Sequence, residues 1–145
     1  MRTYARARLG RLAPLLALVL AAGCVDLGVD AGGDEVVGLT INDANGATLV
    51  SVSGTVNGSL SIARNAQQPL AIVLRSSGGG IVTPGIGQTI RVTITNTQVA
   101  TWTDTGLGAG TLRSGSSTGQ TTMRVDVIDS GTVEYTSPAI TVSVT

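Results

Sequence analysis

Three carboxylates, Asp126, Asp129 and Glu134, fall within nine residues of one another around a DSG turn. A solitary thiol, Cys24, closes an apolar run near the N-terminus. Paired carboxylates can hydrolyse glycosides, and a carboxylate cluster can hold calcium. The chain has no histidine and no lysine. A Ser-His-Asp triad, an imidazole base and a Schiff-base nucleophile are therefore excluded. Zinc and copper sites are excluded for the same want of ligands. Carbohydrate sites also call for exposed aromatics, and after Cys24 only Trp102 and Tyr135 are present. The plainer reading places Asp126 on a solvent face opposite Arg91 and has Asp129 shaping the turn. Neither a metal nor another cofactor is expected, and Asp126, Asp129 and Glu134 stay as calcium candidates only.

The segment before Cys24 has three parts. Arg2, Arg6, Arg8 and Arg11 precede the apolar stretch LAPLLALVLAAG (12–23), which ends in small residues. A basic region, a short apolar region and a small-residue cleavage site make a secretory signal. Twelve residues are too few to span a bilayer, which takes about 20, and Pro14 would disturb a permanent membrane helix. As the only cysteine, Cys24 has no disulfide partner within the chain. A plain signal cut elsewhere would leave a reactive thiol at an exposed terminus, with no evident use.

LAAGC (20–24) resembles the lipobox of bacterial lipoproteins, with Ala21 where leucine is usual. The resemblance implies cleavage between Gly23 and Cys24, acylation of Cys24 and a membrane partner held through N-terminal acyl chains. Two or more chains make such an anchor stable, at about 0.8 kcal/mol per buried methylene. In such lipoproteins aspartate directly after the cysteine favours inner-membrane retention. Here Val25 follows and Asp26 comes one later, which points to the outer membrane, or to the outer face in a host with one membrane.

Removing residues 1–23 takes four of nine arginines and none of the nine acids, so the mature chain carries −4. That balance offers no footprint for nucleic acid and no basic patch for anionic lipid. Residues 25–35, VDLGVDAGGDE, combine three glycines with four acids and read as a solvated tether. The spacing of Asp26, Asp30 and Asp34 matches no known calcium loop.

From Val36 onward the pattern is β. Valine, isoleucine and threonine supply 44 of the 122 mature residues, types that suit pleated, half-buried surfaces. TIRVTIT (89–95), MRVDV (123–127) and AITVSVT (139–145) alternate strictly, and LAIVL (70–74) is apolar on both faces. Turn signals lie at ANGA (44–47), VNGS (56–59), SSGGG (76–80) and TGLGAG (105–110). GLGAG superficially suggests a dinucleotide loop, but no helix follows to hold a pyrophosphate. Eight strands are predicted, near 37–42, 47–56, 59–63, 70–75, 89–95, 99–103, 121–128 and 138–145. Their spacing predicts an all-β, two-sheet antiparallel β-sandwich over 36–145.

Three stretches resemble bacterial immunoglobulin-like domains of group 2: SLSIARNAQQPLAIVL (59–74), TNTQVATWTDTG (95–106) and GTLRSGSSTGQTTMRVDV (110–127). Trp102 stands where a small aliphatic is usual, and Arg113 and Ser114 depart from the family's apolar pattern. The resemblance covers 59–145 and leaves 36–56 as an extra N-terminal hairpin. It implies a surface or adhesion protein in which such modules act as spacers or binding units. Trp102 is expected in the core, its indole N–H bonded to backbone.

Two function classes follow. One is a non-enzymatic module that meets an envelope protein or polymer through loops or a strand edge. The other binds a glycan or small ligand, with calcium as a possible aid, in a pocket lined by aromatics or carboxylates.

Overall fold

The computed structural model describes residues 35–145. Cys24, the cleavage position at Gly23 and the acidic segment 25–34 lie outside the described residues. Alternation becomes twelve strands: β1 (Val36–Asp43), β2 (Thr48–Ser53), β3 (Thr55–Gly58), β4 (Leu60–Ile62), β5 (Gln67–Ser76), β6 (Ile81–Val82), β7 (Gln88–Ile94), β8 (Ala100–Gly106), β9 (Ala109–Ser114), β10 (Gly119–Asp129), β11 (Thr132–Thr136) and β12 (Ile140–Val144).

They form two sheets. The first runs β3-β2-β1-β5-β9-β8, with β6 also paired to β5; the second runs β11-β10-β12-β4, with β7 on the other side of β10. All pairs are antiparallel except β12 with β4. The architecture is an all-β, immunoglobulin-like antiparallel β-sandwich, the sandwich that the strand pattern predicts and the immunoglobulin-like form that the resemblance implies. Leu39, Ile41, Leu74 and Leu112 from the first sheet meet Met123, Val125, Val127 and Ile140 from the second in a single buried cluster. Without phenylalanine, the core is filled by many branched aliphatics of similar size.

The segment 36–56 contains the β1–β2 hairpin, in which β1 lies between β2 and β5 with Leu39 and Ile41 fully buried. The long strand expected over 47–56 is broken at Gly54, whose φ of 71° reverses the chain. The Asn57-Gly58 pair consequently falls in β3 rather than in a hairpin turn. Three strands escaped the sequence reading: β6, β9 and β11.

β11 and β12 lie end to end along one side of β10. Between them Pro138 cannot donate to a ladder. Ser137, buried just before it, bridges the gap: its hydroxyl accepts the Val125 N–H at 2.9 Å and donates to the Pro138 carbonyl at 2.9 Å.

The sandwich has two dissimilar ends. Strand directions put the loops 44–47, 63–66, 95–99 and 115–118 and the C-terminal Thr145 at one end. The entry of β1, the turn at Gly54 and the loops 77–80, 83–87, 107–108 and 130–131 lie at the other.

Candidate functional site

Strand alternation scatters the carboxylates. Asp126 sits on the outer face of β10, between the buried Val125 and Val127. Register places it opposite Arg91 of β7 on one side and Thr136 of β11 on the other. Arg91 donates to its Oδ2 from Nη2 at 2.7 Å and from Nε at 3.1 Å. Thr136 Oγ1 donates to Oδ1 at 2.8 Å. The Arg91 hydrogen bonds hold the Asp126 carboxyl below its ordinary value; partial burial opposes them and the Thr136 bond assists. Both oxygens are thus engaged by protein donors.

Asp129, three residues on, lies on the opposite side of the strand. Its Oδ1 accepts the Ser130 hydroxyl at 2.9 Å, while Glu134 accepts from Gln88 Nε2 at 3.0 Å. The calcium candidates Asp126, Asp129 and Glu134 are therefore not brought together around one point. Among the described residues no three acidic side chains come together around a point that could hold a metal.

Both aromatics turn inward. Trp102 on the edge strand β8 pairs with Leu112 of β9 and packs half-buried against the core. Its six-membered ring lies where a Cβ on Gly110 would stand. Gly110, read from sequence as part of a loop, is thus a strand residue that makes room for the indole. The expected hydrogen bond from the indole N–H to backbone is not made among the described residues. Tyr135 faces Val127 across the β10–β11 pair. Its hydroxyl is buried with no partner among the described residues, and burial raises its pKa.

The edges of the two sheets approach one another where β7 meets β8. A hollow of about 350 Å³ lies there, lined by Arg91, Val92, Ile94, Thr101 and Trp102 among others. Arg91 in its lining is already engaged by Asp126.

GLGAG forms a hairpin tip. Leu107 and Gly108 have φ of 51° and 80°, the two positive angles of a type I′ turn. The Gly108 carbonyl accepts the Ile72 N–H at 2.8 Å and fastens the tip to β5. Leu107 is 87% exposed there. A pattern search for chemistry passes over this residue because leucine has none; its place at a turn tip was the available signal.

Sequence reading also missed Ser114, noted only as a departure from the family pattern. Its hydroxyl donates to the Ala63 carbonyl at 2.8 Å and accepts the Ala66 N–H at 2.9 Å, tying the 63–66 loop to the end of β9.

No family model matches the chain, and no curated protein matches it. Among solved structures it is similar to domains 4 and 5 of the S-layer protein SbsC, with 16% identity over 81% of this chain and 80% of that one and a TM-score of 0.46. It is similar to the adhesin InvE of Yersinia pseudotuberculosis, with 25% identity over 59% of this chain, 24% of that chain and a TM-score of 0.38. The third is the Lin-41 filamin domain, with 16% identity over 61% of this chain and 86% of that one and a TM-score of 0.37.

Proposed function

We propose that the chain is a lipid-anchored module of the bacterial envelope, held in the outer membrane through acylated Cys24, whose sandwich serves a structural or adhesion-type interaction role. The observation that carries this reading is LAAGC (20–24), set behind four arginines and an apolar run and ahead of an acidic glycine-rich segment that leads into β1. The sandwich supports it by leaving polar strand edges for a partner. Thr101, Thr103, Asp104 and Thr105 on the outermost strand β8 are all exposed, a surface suited to an envelope protein or polymer. The acid excess of the mature chain argues against nucleic acid. Glycan binding would need an aromatic face, and Trp102 and Tyr135 pack against the core instead.

Metabolic labelling with a fatty-acid analogue tests the anchor. The native chain should take up label and fractionate with membranes, and Cys24→Ser should lose both. Label that persists in Cys24→Ser overturns the anchor. Saturable binding of oligosaccharides that shifts Trp102 emission would favour glycan recognition over the structural role.

A further inference from the structure

The large apolar side chains exposed among the described residues are Val37, Ile81, Ile86, Leu107 and Val133. All five lie toward the end of the sandwich where β1 begins. Register requires this: Val36 pairs with Ser76, and Arg75 in turn with Ile81. The Leu107-Gly108 tip docks beside Ile72, and the Ser130 N–H reaches the carbonyl of Gly87, next to Ile86. Ile86 is fully exposed, and Ile81 is 66% exposed. Pro84, Ile90 and Leu107 line both of two adjoining hollows of about 200 and 220 Å³ between these loops. At the opposite end the loops carry Asn45, Arg64, Asn65, Asn96, Gln98 and Ser116 beside alanines and a buried Val99, with no exposed large apolar side chain among the described residues.

We propose that the end at which the N-terminal segment enters lies against the lipid surface, with Ile81, Ile86 and Leu107 seated in the interface of the bilayer. The inference rests on the lipid anchor at Cys24 and adds an orientation to it. Chain length supports the assignment. From Cys24 to Val36 the chain reaches about 40 Å when fully extended, while the eleven residues of β10 make the sandwich about 36 Å long. To lay the polar end on the membrane, nearly all that reach would be spent running alongside the domain. The apolar end needs none of it.

Leu107 supplies an independent argument. Its left-handed backbone is one that asparagine or glycine tolerates and leucine resists, and its side chain is left in water. A residue disfavoured in both respects fits a tip that is covered in use. The charges set the lipid class. Glu35, Asp104, Asp129 and Glu134 outnumber Arg75 at this end, so the contact suits an uncharged, zwitterionic headgroup layer and not an anionic one.

The test uses the full acylated chain in phosphatidylcholine vesicles. With Cys24 acylated, a cysteine introduced at position 107 or 45 (Leu107→Cys, Asn45→Cys) is the one free thiol and takes an environment-sensitive fluorophore. The label at 107 should emit to the blue and be quenched several-fold more by lipid-borne quenchers than the label at 45. Ile81→Ser with Ile86→Ser should lessen that quenching while acyl mass, vesicle association and the folded Trp102 emission persist. Anionic phosphatidylglycerol should weaken the contact at low salt. Vesicle-bound protein whose two labels are equally aqueous overturns the orientation and leaves the anchor standing. Absence of acyl mass on Cys24 overturns the anchor, and the orientation falls with it. A label at 107 that is shielded yet unquenched by lipid, with copies cross-linked through that position, assigns the patch to a second copy and also overturns the proposal.

Discussion

The two ends of this sandwich are built from the same strands and both tie their loops with polar side chains, but among the described residues only the end proximal to the N-terminal segment exposes large apolar ones. At that proximal end Arg75 bonds to Gly79, Gln88 to Gly85 and Asp104 to Gly106. At the end distal to the N-terminal segment, polar side chains fold back on the backbone. Asp43 accepts the N–H groups of Asn45 and Ala47, each at 2.9 Å. Asn96 accepts the Gln98 N–H at 3.0 Å, and Ser114 bridges to the 63–66 loop. At the proximal end, Ile81, Ile86 and Leu107 project from their loops and tie nothing down. Side chains that bond their own loop stabilise the fold, whereas exposed apolar tips cost solubility and need another use. The difference separates residues kept for folding from residues free to serve contact.

A lesion in the shared core should erase the distinction. Val125 is fully buried, so Val125→Asp would strand a charge and cost roughly 3–5 kcal/mol, enough to unfold most domains. Hydrogen exchange should then show protection lost at both ends together. Protection that survives at one end would mean the ends fold as separate units. Asp126→Val, on the outer face one residue away, should be mild.

Gly110→Ala tests the packing between the ends. A methyl there meets the indole of Trp102, and displacing the ring should cost about 1–3 kcal/mol. Trp102 emission should shift to the red, and acrylamide should quench it more readily. Unchanged emission would show that the ring does not lie over residue 110.

Ser114→Ala acts on the polar end alone. Loss of its two bonds should lower stability by about 1–2 kcal/mol, with faster exchange at Ala66 and no change near Leu107. Leu107→Asn acts on the apolar end with the opposite sign. Asparagine accepts the left-handed turn, so denaturant melts should show a gain of up to about 1 kcal/mol while lipid quenching at this end diminishes. Stability and membrane contact moving together in Leu107→Asn would refute the division of labour.

The smallest effect belongs to Arg91→Ala, between the ends. A cross-strand ion pair of this exposure contributes about 0.2–1 kcal/mol. The Asp126 carboxyl lies below its ordinary value near 3.8 in the folded state. As pH falls past that value the unfolded chain takes up its proton first, so the pair's contribution is present above it and lost as pH drops through the lower folded value. Arg91→Ala should lower stability by that amount near neutrality, with variant and native chain converging in that acid window as Asp126 is protonated.

Particular residues show how far the sequence was legible. Alternation in TIRVTIT and MRVDV was enough to put Ile90 and Val125 inward and to set Arg91 against Asp126, because side-chain direction on a strand follows from a period of two. The Leu107-Gly108 and Ser130-Gly131 turns stood where glycine marked them. By contrast, β9 was hidden in a glycine-rich stretch, because Gly110 answers to the indole of Trp102 and not to a turn. The segment 36–56 read as an extra hairpin beside the resembling family, and β1 holds an interior place through pairing with residues 70–76, a partnership of distant residues that no local pattern contains. The calcium grouping failed for a similar reason: proximity along the chain does not survive the opposed faces of a strand.

The sequence by itself determined the β character of the chain and its alternating faces, since composition and short-range periodicity carry those properties. Only the tertiary structure decided which loops share an end. Ile81, Ile86 and Leu107 are spread over 27 residues of chain, and they meet because antiparallel pairing returns the chain to the same end of the sheets at every second turn.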